Sequence, residues 1–156
     1  MRVSDALADR AIIVKAAWET FEETVTGLVN HLVASGLLAR SLAEVAVGRI
    51  CEREAIASTA MVDIGVSIPH ARLDGITGII AALAVSPRVV YQVTAGLPIS
   101  IVALVLSSPQ LTGEHLTFLS AMSMLLQSER MRTQLRKAAG PDEVLRLIRE
   151  SEAARG

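Results

Sequence analysis

The sequence predicts a single α/β domain in which helices cover a central sheet. Its 156 residues suit one domain that spans 1–156 and buries a sizeable core. Two continuous apolar runs, at 79–85 and 99–106, have the composition of strands that are buried on both faces. Amphipathic helical patterns before and after these runs supply the covering layers, which gives an α/β layered fold.

The first third is predicted to be helical after one short strand. The β-branched cluster within 11–15 predicts the strand. Apolar residues recur at helical spacing over 18–35 and predict the first long helix. A second helix should begin at Ser41, because Ser41 and Glu44 have the spacing of a capping box, and it should end near Ala57.

The middle of the chain is predicted to consist of strands, and its end of helices. Four strands separated by Gly, Pro, Ser and Asp are expected at 64–68, 78–85, 89–93 and 99–106. From Pro109 onward the pattern is helical again. Thr112 should cap one helix, Ser128 should open the next, and Pro141 should begin the last.

Composition and charge argue against several classes of protein. The net charge is −1 and aromatic residues make up 3% of the chain, so we expect no nucleic-acid partner. The longest apolar runs are far shorter than the ~20 residues of a membrane helix. Cys51 has no partner for a disulfide and no secretory leader opens the chain, which predicts a cytoplasmic location.

The segment 65–72 contains the strongest candidate nucleophile, His70. Pro69 fixes its own backbone angle and keeps Ile68 extended, so His70 should emerge just past the end of the strand. A neutral imidazole is a good nucleophile toward phosphorus, and an unperturbed histidine, with a pKa of about 6.5, is largely neutral in the cytoplasm. The simpler alternative is that His70 is a turn residue.

His115 is the second candidate. With Thr112 as the cap, His115 would lie in the first turn of a helix, where the helix dipole disfavours imidazolium and free N–H groups favour an anion. One histidine could then accept a phosphoryl group while the other donates a hydrogen bond to it, with Arg53 or Arg72 neutralising charge. Alternatively, His115 is a solvated first-turn residue.

A metal site built from His31, His70 and His115 is a weaker alternative, because these residues lack the short spacing of metal ligands on one element. We interpret His31 as a boundary residue of its helix without a role. The chain also lacks a Gly-rich phosphate loop, a GxSxG elbow and a CxxC pair. We therefore expect neither a metal nor a cofactor.

Several motifs taken together resemble one known family. In chain order they are Arg53-Glu54, Ser58-Thr59, the segment 65–72 and the segment 113–116. This series resembles the fructose/mannitol-type EIIA domain of the bacterial phosphoenolpyruvate-dependent sugar phosphotransferase system, a family that includes the nitrogen-regulatory EIIA proteins. The resemblance covers nearly the whole chain, and it implies a mixed β-sheet sandwiched by helices.

The resemblance also implies roles for individual residues. His70 matches the histidine that takes a phosphoryl group from phospho-HPr and passes it to an EIIB component. His115 matches the second histidine, which helps to hold that group. Arg53 is expected near the phosphate, together with Ser58 and Thr59. The membrane would be reached only indirectly, through an EIIC transporter.

The chain departs from the family pattern just before the histidine motif. The family usually has a compact Gly-x-Gly turn, whereas this chain has the segment 60–65, with one residue added and one glycine lost. Because Met61 and Val62 cannot adopt a positive φ cheaply, the turn that orients Ser58 and Thr59 is expected to be built differently.

Two functions are compatible with these features. The leading hypothesis is a phosphoryl carrier that serves sugar uptake, with HPr as the donor and EIIB as the acceptor. The alternative is a nitrogen-type regulatory module that binds a kinase, transporter or transcription factor, with or without phosphorylation. The altered turn and the lack of an attached EIIB or EIIC segment motivate this alternative.

Overall fold

The computed structural model of this protein describes residues 2–155, which form six α-helices and eight strands. The helices are α1 (Val3–Ala6), α2 (Phe21–Ala34), α3 (Ala43–Ile56), α4 (Thr112–Gln127), α5 (Glu129–Arg136) and α6 (Pro141–Arg155). The strands are β1 (Ile12–Val14), β2 (Ala60–Met61), β3 (Val66–Ser67), β4 (His70–Arg72), β5 (Ile79–Val85), β6 (Tyr91–Gln92), β7 (Pro98–Ile99) and β8 (Ile101–Ser107).

Strands β5 and β8 form the centre of a six-stranded sheet with the order β1-β5-β8-β3-β2, and β4 also pairs with β8. The two central strands are antiparallel, from Ile79 opposite Ser107 to Val85 opposite Ile101. Strand β1 is parallel to β5, and both β3 and β4 are parallel to β8. The sheet is therefore mixed, and β6 and β7 form a separate two-stranded hairpin.

The hydrophobic core is centred on β8. All seven residues of this strand are buried, which requires a covering layer on each face of the sheet. Fully buried side chains of four different helices, Leu28, Ile50, Phe118 and Ile148, belong to the same core. The predicted α/β layered fold, with a mixed sheet between helices, is confirmed.

Strands β3 and β4 are two parts of one strand that Pro69 interrupts. Both parts pair with β8 in a continuous register, with Val66 opposite Ile101 and His70 opposite Val105. Proline has no N–H to donate, so regular pairing lapses at this point. The expectation that His70 lies just past the end of the strand was wrong, because the strand resumes at His70.

Two helices begin differently from the prediction. Helix α3 starts at Ala43 without a side-chain cap, because Arg40–Leu42 form a short 3-10 helix that encloses Ser41. The predicted capping box was wrong, since an N-cap residue needs extended backbone. Helix α4 has Leu111 at its N-cap position, and Thr112 is its first helical residue.

Other helix starts are as expected or shifted slightly. The prediction that Ser128 opens α5 is confirmed, since its Oγ accepts a hydrogen bond from the N–H of Met131 at 3.1 Å. Helix α6 begins at Pro141, as predicted. Helix α2 begins at Phe21, after the N-cap Thr20, rather than near residue 18.

Several short elements differ from the prediction. The strand expected at 89–93 is reduced to β6, and the run 99–106 begins in β7 and passes into β8 at Ser100. There the N–H of Ser100 donates to the carbonyl of Gly65 at 2.8 Å, so the chain leaves one sheet and enters the other. Helix α1 and strand β2 were not predicted, because such short segments carry no periodic pattern.

No helix within residues 2–155 is long and apolar enough to cross a bilayer.

Candidate functional site

A groove opens at the edge of the sheet where β4 and β8 end. The two strands are parallel, so their carboxyl ends meet, and ligands of α/β sheets commonly bind at such an edge. The groove has a volume of about 480 Å³. Helix α3, strand β4 and helix α4 supply its main polar and apolar side chains, Arg49, Arg53, Ile56, His70, Arg72, His115 and Leu116.

His70 is partly exposed, and its tautomer is fixed by a backbone carbonyl. Its Nδ1 lies 2.8 Å from the carbonyl oxygen of Ile68. A carbonyl oxygen can only accept, so Nδ1 carries a proton and donates it. In the neutral ring the free lone pair is therefore on Nε2.

His115 is buried, with 6% of its surface exposed, and lies in the first turn of α4 as predicted. Its Nδ1 lies 2.6 Å from the Oγ of Ser107, the last residue of β8. Burial lowers the pKa of His115 from 6.5 to about 4, and the charges of Arg72 and His70 act in the same direction. The ring is therefore uncharged at neutral pH.

The two candidate histidines are neighbours. Their ring centroids are 5.6 Å apart and their planes are inclined by 56°. Because both rings line the groove, His70 can act as a nucleophile beside a neutral His115 that can form hydrogen bonds. This is the pairing that the sequence predicts.

Two arginines of α3 make the groove cationic. Arg53 Nη1 donates to the carbonyl of Ala57 at 3.1 Å, a contact that leaves the charge of Arg53 uncompensated. Arg49 approaches Glu52 only at 3.9 Å, and both side chains are largely exposed. Such a pair contributes little energy, so both arginines can serve an anion in the groove.

Arg72 connects β4 to the loop before α4. Its Nη2 donates to the carbonyls of Ser108 and Pro109, at 3.2 and 2.8 Å, and lies 3.5 Å from Thr112 Oγ1. Its Nε is buried and has no acceptor in the part of the chain that the structure describes. An unpaired buried N–H costs ~1–3 kcal/mol, and because Nε is shielded, Arg72 acts on the groove through the charge of its guanidinium.

Ser58 and Thr59 lie outside the groove. Both hydroxyls donate to the carboxylate of Glu54, at 2.9 and 2.7 Å, and the N–H of Thr59 donates to it at 2.7 Å. Ser58 lines a different cavity, of about 290 Å³, beside Tyr91. Four of the six predicted site residues lie together in the groove: His70, His115, Arg53 and Arg72. The other two, Ser58 and Thr59, lie apart from them.

The segment 60–65 forms a tight hairpin between β2 and β3. Ala60 pairs with Ser67, and Met61 pairs with Val66. Gly65 has a φ of +69°, whereas no other residue of this turn has a positive φ. The turn is therefore built without strain at the bulky residues, because the remaining glycine adopts the left-handed conformation.

His31 lies apart from the other two histidines. Its Nε2 donates to the carbonyl of Arg10 at 2.7 Å, and Ser35 Oγ donates to the same oxygen at 3.0 Å. His31 is half-buried and lies outside the groove, as expected of a boundary residue of its helix, and its contact ties α2 to the segment before β1. Within residues 2–155, no group of three or more His, Cys, Asp or Glu side chains could hold a metal ion.

Several residues in the groove or directly behind it could not be, or were not, predicted from the sequence. Arg49 could have been found, because it precedes Arg53 by one helical turn. The exposed apolar residues Ile56 and Leu116, at 83% and 62% exposure, carry no signal that separates them from ordinary surface residues. Ser107 could not have been found, because its contact with His115 depends on how α4 follows β8.

A family profile matches most of the chain. The family is described as "Phosphoenolpyruvate-dependent sugar phosphotransferase system, EIIA 2", and its profile matches residues 6–151. No curated protein sequence matches the chain.

Solved structures share the fold at low sequence identity. The nitrogen regulatory protein IIA-Ntr from Neisseria meningitidis is 21% identical, with 94% of this chain and 98% of that chain covered and a TM-score of 0.76. IIA mannitol from Escherichia coli is 19% identical, with 90% and 97% covered and a TM-score of 0.72. A complex of enzyme IIAMtl and phosphorylated enzyme IIBMtl from Escherichia coli matches at 18% identity, with 92% and 96% covered and a TM-score of 0.69.

Proposed function

Because this chain belongs to the EIIA 2 family of the phosphoenolpyruvate-dependent sugar phosphotransferase system, we propose that it carries a phosphoryl group on His70. The observation that carries this proposal is the hydrogen bond from His70 Nδ1 to Ile68, which leaves Nε2 unprotonated. An imidazole nitrogen with a free lone pair can attack phosphorus without a general base.

The proposed step is balanced within the groove. The Nε2 lone pair of His70 forms a bond to phosphorus while the bond from phosphorus to the donor atom breaks, and the donor atom keeps that electron pair. Nδ1 retains its proton and its hydrogen bond to Ile68, so the ring becomes cationic. In onward transfer the electron pair of the phosphorus–nitrogen bond returns to Nε2 when the acceptor attacks.

The surrounding charges suit the phosphoryl oxygens. Arg49 and Arg53 bring positive charge from α3, and the guanidinium of Arg72 adds a further charge from β4. His115 is uncharged at neutral pH, so it adds a hydrogen bond rather than a further charge. This combination holds the group while leaving it transferable.

The proposed partners are HPr as the donor and an EIIB component as the acceptor. An Escherichia coli protein with this fold has been solved in complex with phosphorylated enzyme IIBMtl. In this chain the exposed Ile56 and Leu116 flank the cationic groove, and exposed apolar side chains gain free energy when a partner buries them. We place the reaction in the cytoplasm, in sugar uptake, with the membrane reached through an EIIC transporter.

Incubation with phosphoenolpyruvate, enzyme I and HPr tests the proposal. The parent should acquire acid-labile phosphate, and His70→Ala should not. His31→Gln is the matched control, because His31 lies outside the groove, and it should be labelled like the parent. Undiminished labelling of His70→Ala would exclude His70 as the acceptor.

A regulatory module is the second candidate function. The observation that favours it is the shared fold with the nitrogen regulatory protein IIA-Ntr from Neisseria meningitidis, at a TM-score of 0.76. In this function the chain binds a kinase, transporter or transcription factor, and phosphate on His70 is a switch or is absent. Affinity capture with the phosphorylated parent, the unphosphorylated parent and His70→Ala separates the two functions. A regulatory target bound equally in every state, with no transfer to any EIIB, would favour the module.

A further inference from the structure

Ser107 is placed directly behind the second histidine of the groove. It is fully buried at the end of β8, and its Oγ lies 2.6 Å from His115 Nδ1. Between residues 2 and 155, Ser107 Oγ makes no other hydrogen bond. The hydrogen-bonding needs of these two groups therefore decide which ring nitrogen of His115 carries the proton.

Two tautomers of a neutral His115 fit the distance. If Nδ1 carried the proton, it would donate to Ser107 Oγ, and the serine hydroxyl proton would need another acceptor. The described chain offers none, and a buried donor without a partner costs ~1–3 kcal/mol. If Nδ1 is unprotonated, the serine hydroxyl donates to it and both groups are satisfied.

We propose that Ser107 is a positioning residue whose hydroxyl donates to His115 Nδ1 and so places the ring proton on Nε2. His115 lines the groove, whereas Ser107 does not. Because Nδ1 of His115 faces Ser107, the Nε2–H group is left to donate to a ligand in the groove.

The two histidines then have opposite tautomers. His70 donates through Nδ1 to Ile68 and keeps a lone pair on Nε2. His115 accepts through Nδ1 from Ser107 and keeps a proton on Nε2. This consequence rests on the proposed phosphoryl-carrier function: the Nε2–H of His115 donates to an oxygen of the phosphoryl group on His70. In the other tautomer, a lone pair of His115 would face those oxygens and repel them.

The backbone around Ser107 holds the serine in place. Ser107 pairs with Arg72 of β4, and its carbonyl accepts from the N–H of Leu73 at 2.8 Å. Arg72 also holds the carbonyls of Ser108 and Pro109, which begin the loop to α4. A hydroxyl on a rigid strand is well suited to orient a functional side chain.

Heteronuclear NMR of the histidine rings in the full, unphosphorylated chain tests the tautomer. We expect Nε2–H for His115 and Nδ1–H for His70. Ser107→Ala should leave His115 as a mixture of tautomers, and Ser107→Thr, which keeps the hydroxyl, should restore the parent spectrum. Ser86→Ala is the matched control, because Ser86 is a buried serine beyond the opposite end of β5 that accepts from the N–H of Arg88.

Transfer kinetics test the positioning role. Ser107→Ala should still accept phosphate on His70 but pass it to EIIB about 10-fold more slowly, a loss of the size that follows removal of the hydrogen-bond partner of a metal-bound histidine. Ser107→Thr and Ser86→Ala should transfer like the parent. A tautomer change without any loss of transfer rate would overturn the positioning role.

Two results keep this inference distinct from the proposed function. If the parent shows Nδ1–H on His115, or if Ser107→Ala keeps the parent tautomer, the Ser107 assignment is overturned even when His70 is phosphorylated. If the tautomers are as expected but no phosphate is accepted, the assignment of Ser107 stands and the phosphoryl-carrier function fails.

Discussion

The rings of His70 and His115 lie side by side, with centroids 5.6 Å apart, although they belong to different elements of the fold. His70 begins β4, and His115 lies in the first turn of α4, which follows β8 after a short loop. The register of β4 against β8 places His70 opposite Val105, two residues before Ser107, whose Oγ contacts His115. The site therefore depends on the strand register as much as on either histidine motif.

Replacing His115 should affect transfer more than acceptance. His115→Ala leaves the nucleophile and the arginines in place, so His70 should still be phosphorylated. Loss of one hydrogen bond to a developing charge lowers rates by about 10²-fold. We expect a loss of that size in the discharge of labelled protein to EIIB. Discharge at the parent rate would remove His115 from the mechanism.

The buried position of His115 should make stability depend on pH. Its pKa is about 4 in the folded chain and about 6.5 when unfolded. Between these values the unfolded chain binds more protons, so the free energy of unfolding should fall as the pH drops from about 6.5 to about 4. The full difference corresponds to about 3 kcal/mol.

Denaturant unfolding at a series of pH values checks this dependence. His115→Gln removes the titrating ring and should flatten the decline in this pH window, while carboxyl groups contribute equally in both proteins. Identical pH profiles for the parent and His115→Gln would show that burial of the ring does not govern this part of the profile.

Arg53 should matter for phosphate because of its charge in the groove. A hydrogen bond to a charged group contributes about 1.5–3 kcal/mol, so Arg53→Met should slow phosphorylation of His70 by about 10-fold or more. Arg149→Met is the matched control, since Arg149 is an exposed arginine of α6 outside the groove. Equal rates for the two variants would argue that Arg53 does not contact the phosphoryl group.

Two glycine substitutions should have opposite effects on stability. Gly65 has a φ of +69°, and a Cβ there would lie 3.3 Å from Ser100 Oγ, so Gly65→Ala should destabilise the fold by about 1–2 kcal/mol. Gly48 lies within α3 with open space around it, so Gly48→Ala should stabilise the fold by up to about 1 kcal/mol. Thermal unfolding of both variants gives the comparison, and a neutral Gly65→Ala would contradict the requirement for glycine at this position of the turn.

Long elements of this fold could be predicted from sequence because many residues report the same pattern. The apolar runs at 79–85 and 99–106 gave the two central strands, and helical spacing gave α2 and the C-terminal helices. Local details that depend on distant partners were not accessible. The change of sheet at Ser100 requires the carbonyl of Gly65. The cap expected at Ser41 fails for a local reason, because a 3-10 helix forms at Arg40–Leu42 instead.

In the candidate site, too, local motifs could be predicted from the sequence, whereas tertiary contacts could not. His70 and His115 were found because each lies in a recognisable local motif. Ser58 and Thr59 were expected beside the phosphate, but the carboxylate of Glu54 holds both of them elsewhere. Competition between partners of this kind is decided by tertiary geometry, which a motif does not contain.

The position of the phosphorus atom tests the central claim most directly. The chain can be phosphorylated with phosphoenolpyruvate, enzyme I and HPr, and the attached nitrogen can be identified by NMR of the histidine rings. We predict phosphorus on Nε2 of His70, with Nδ1 of the same ring still donating to Ile68. Phosphorus on His115, phosphorus on Nδ1 of His70, or a chain that takes up no phosphate would contradict the account.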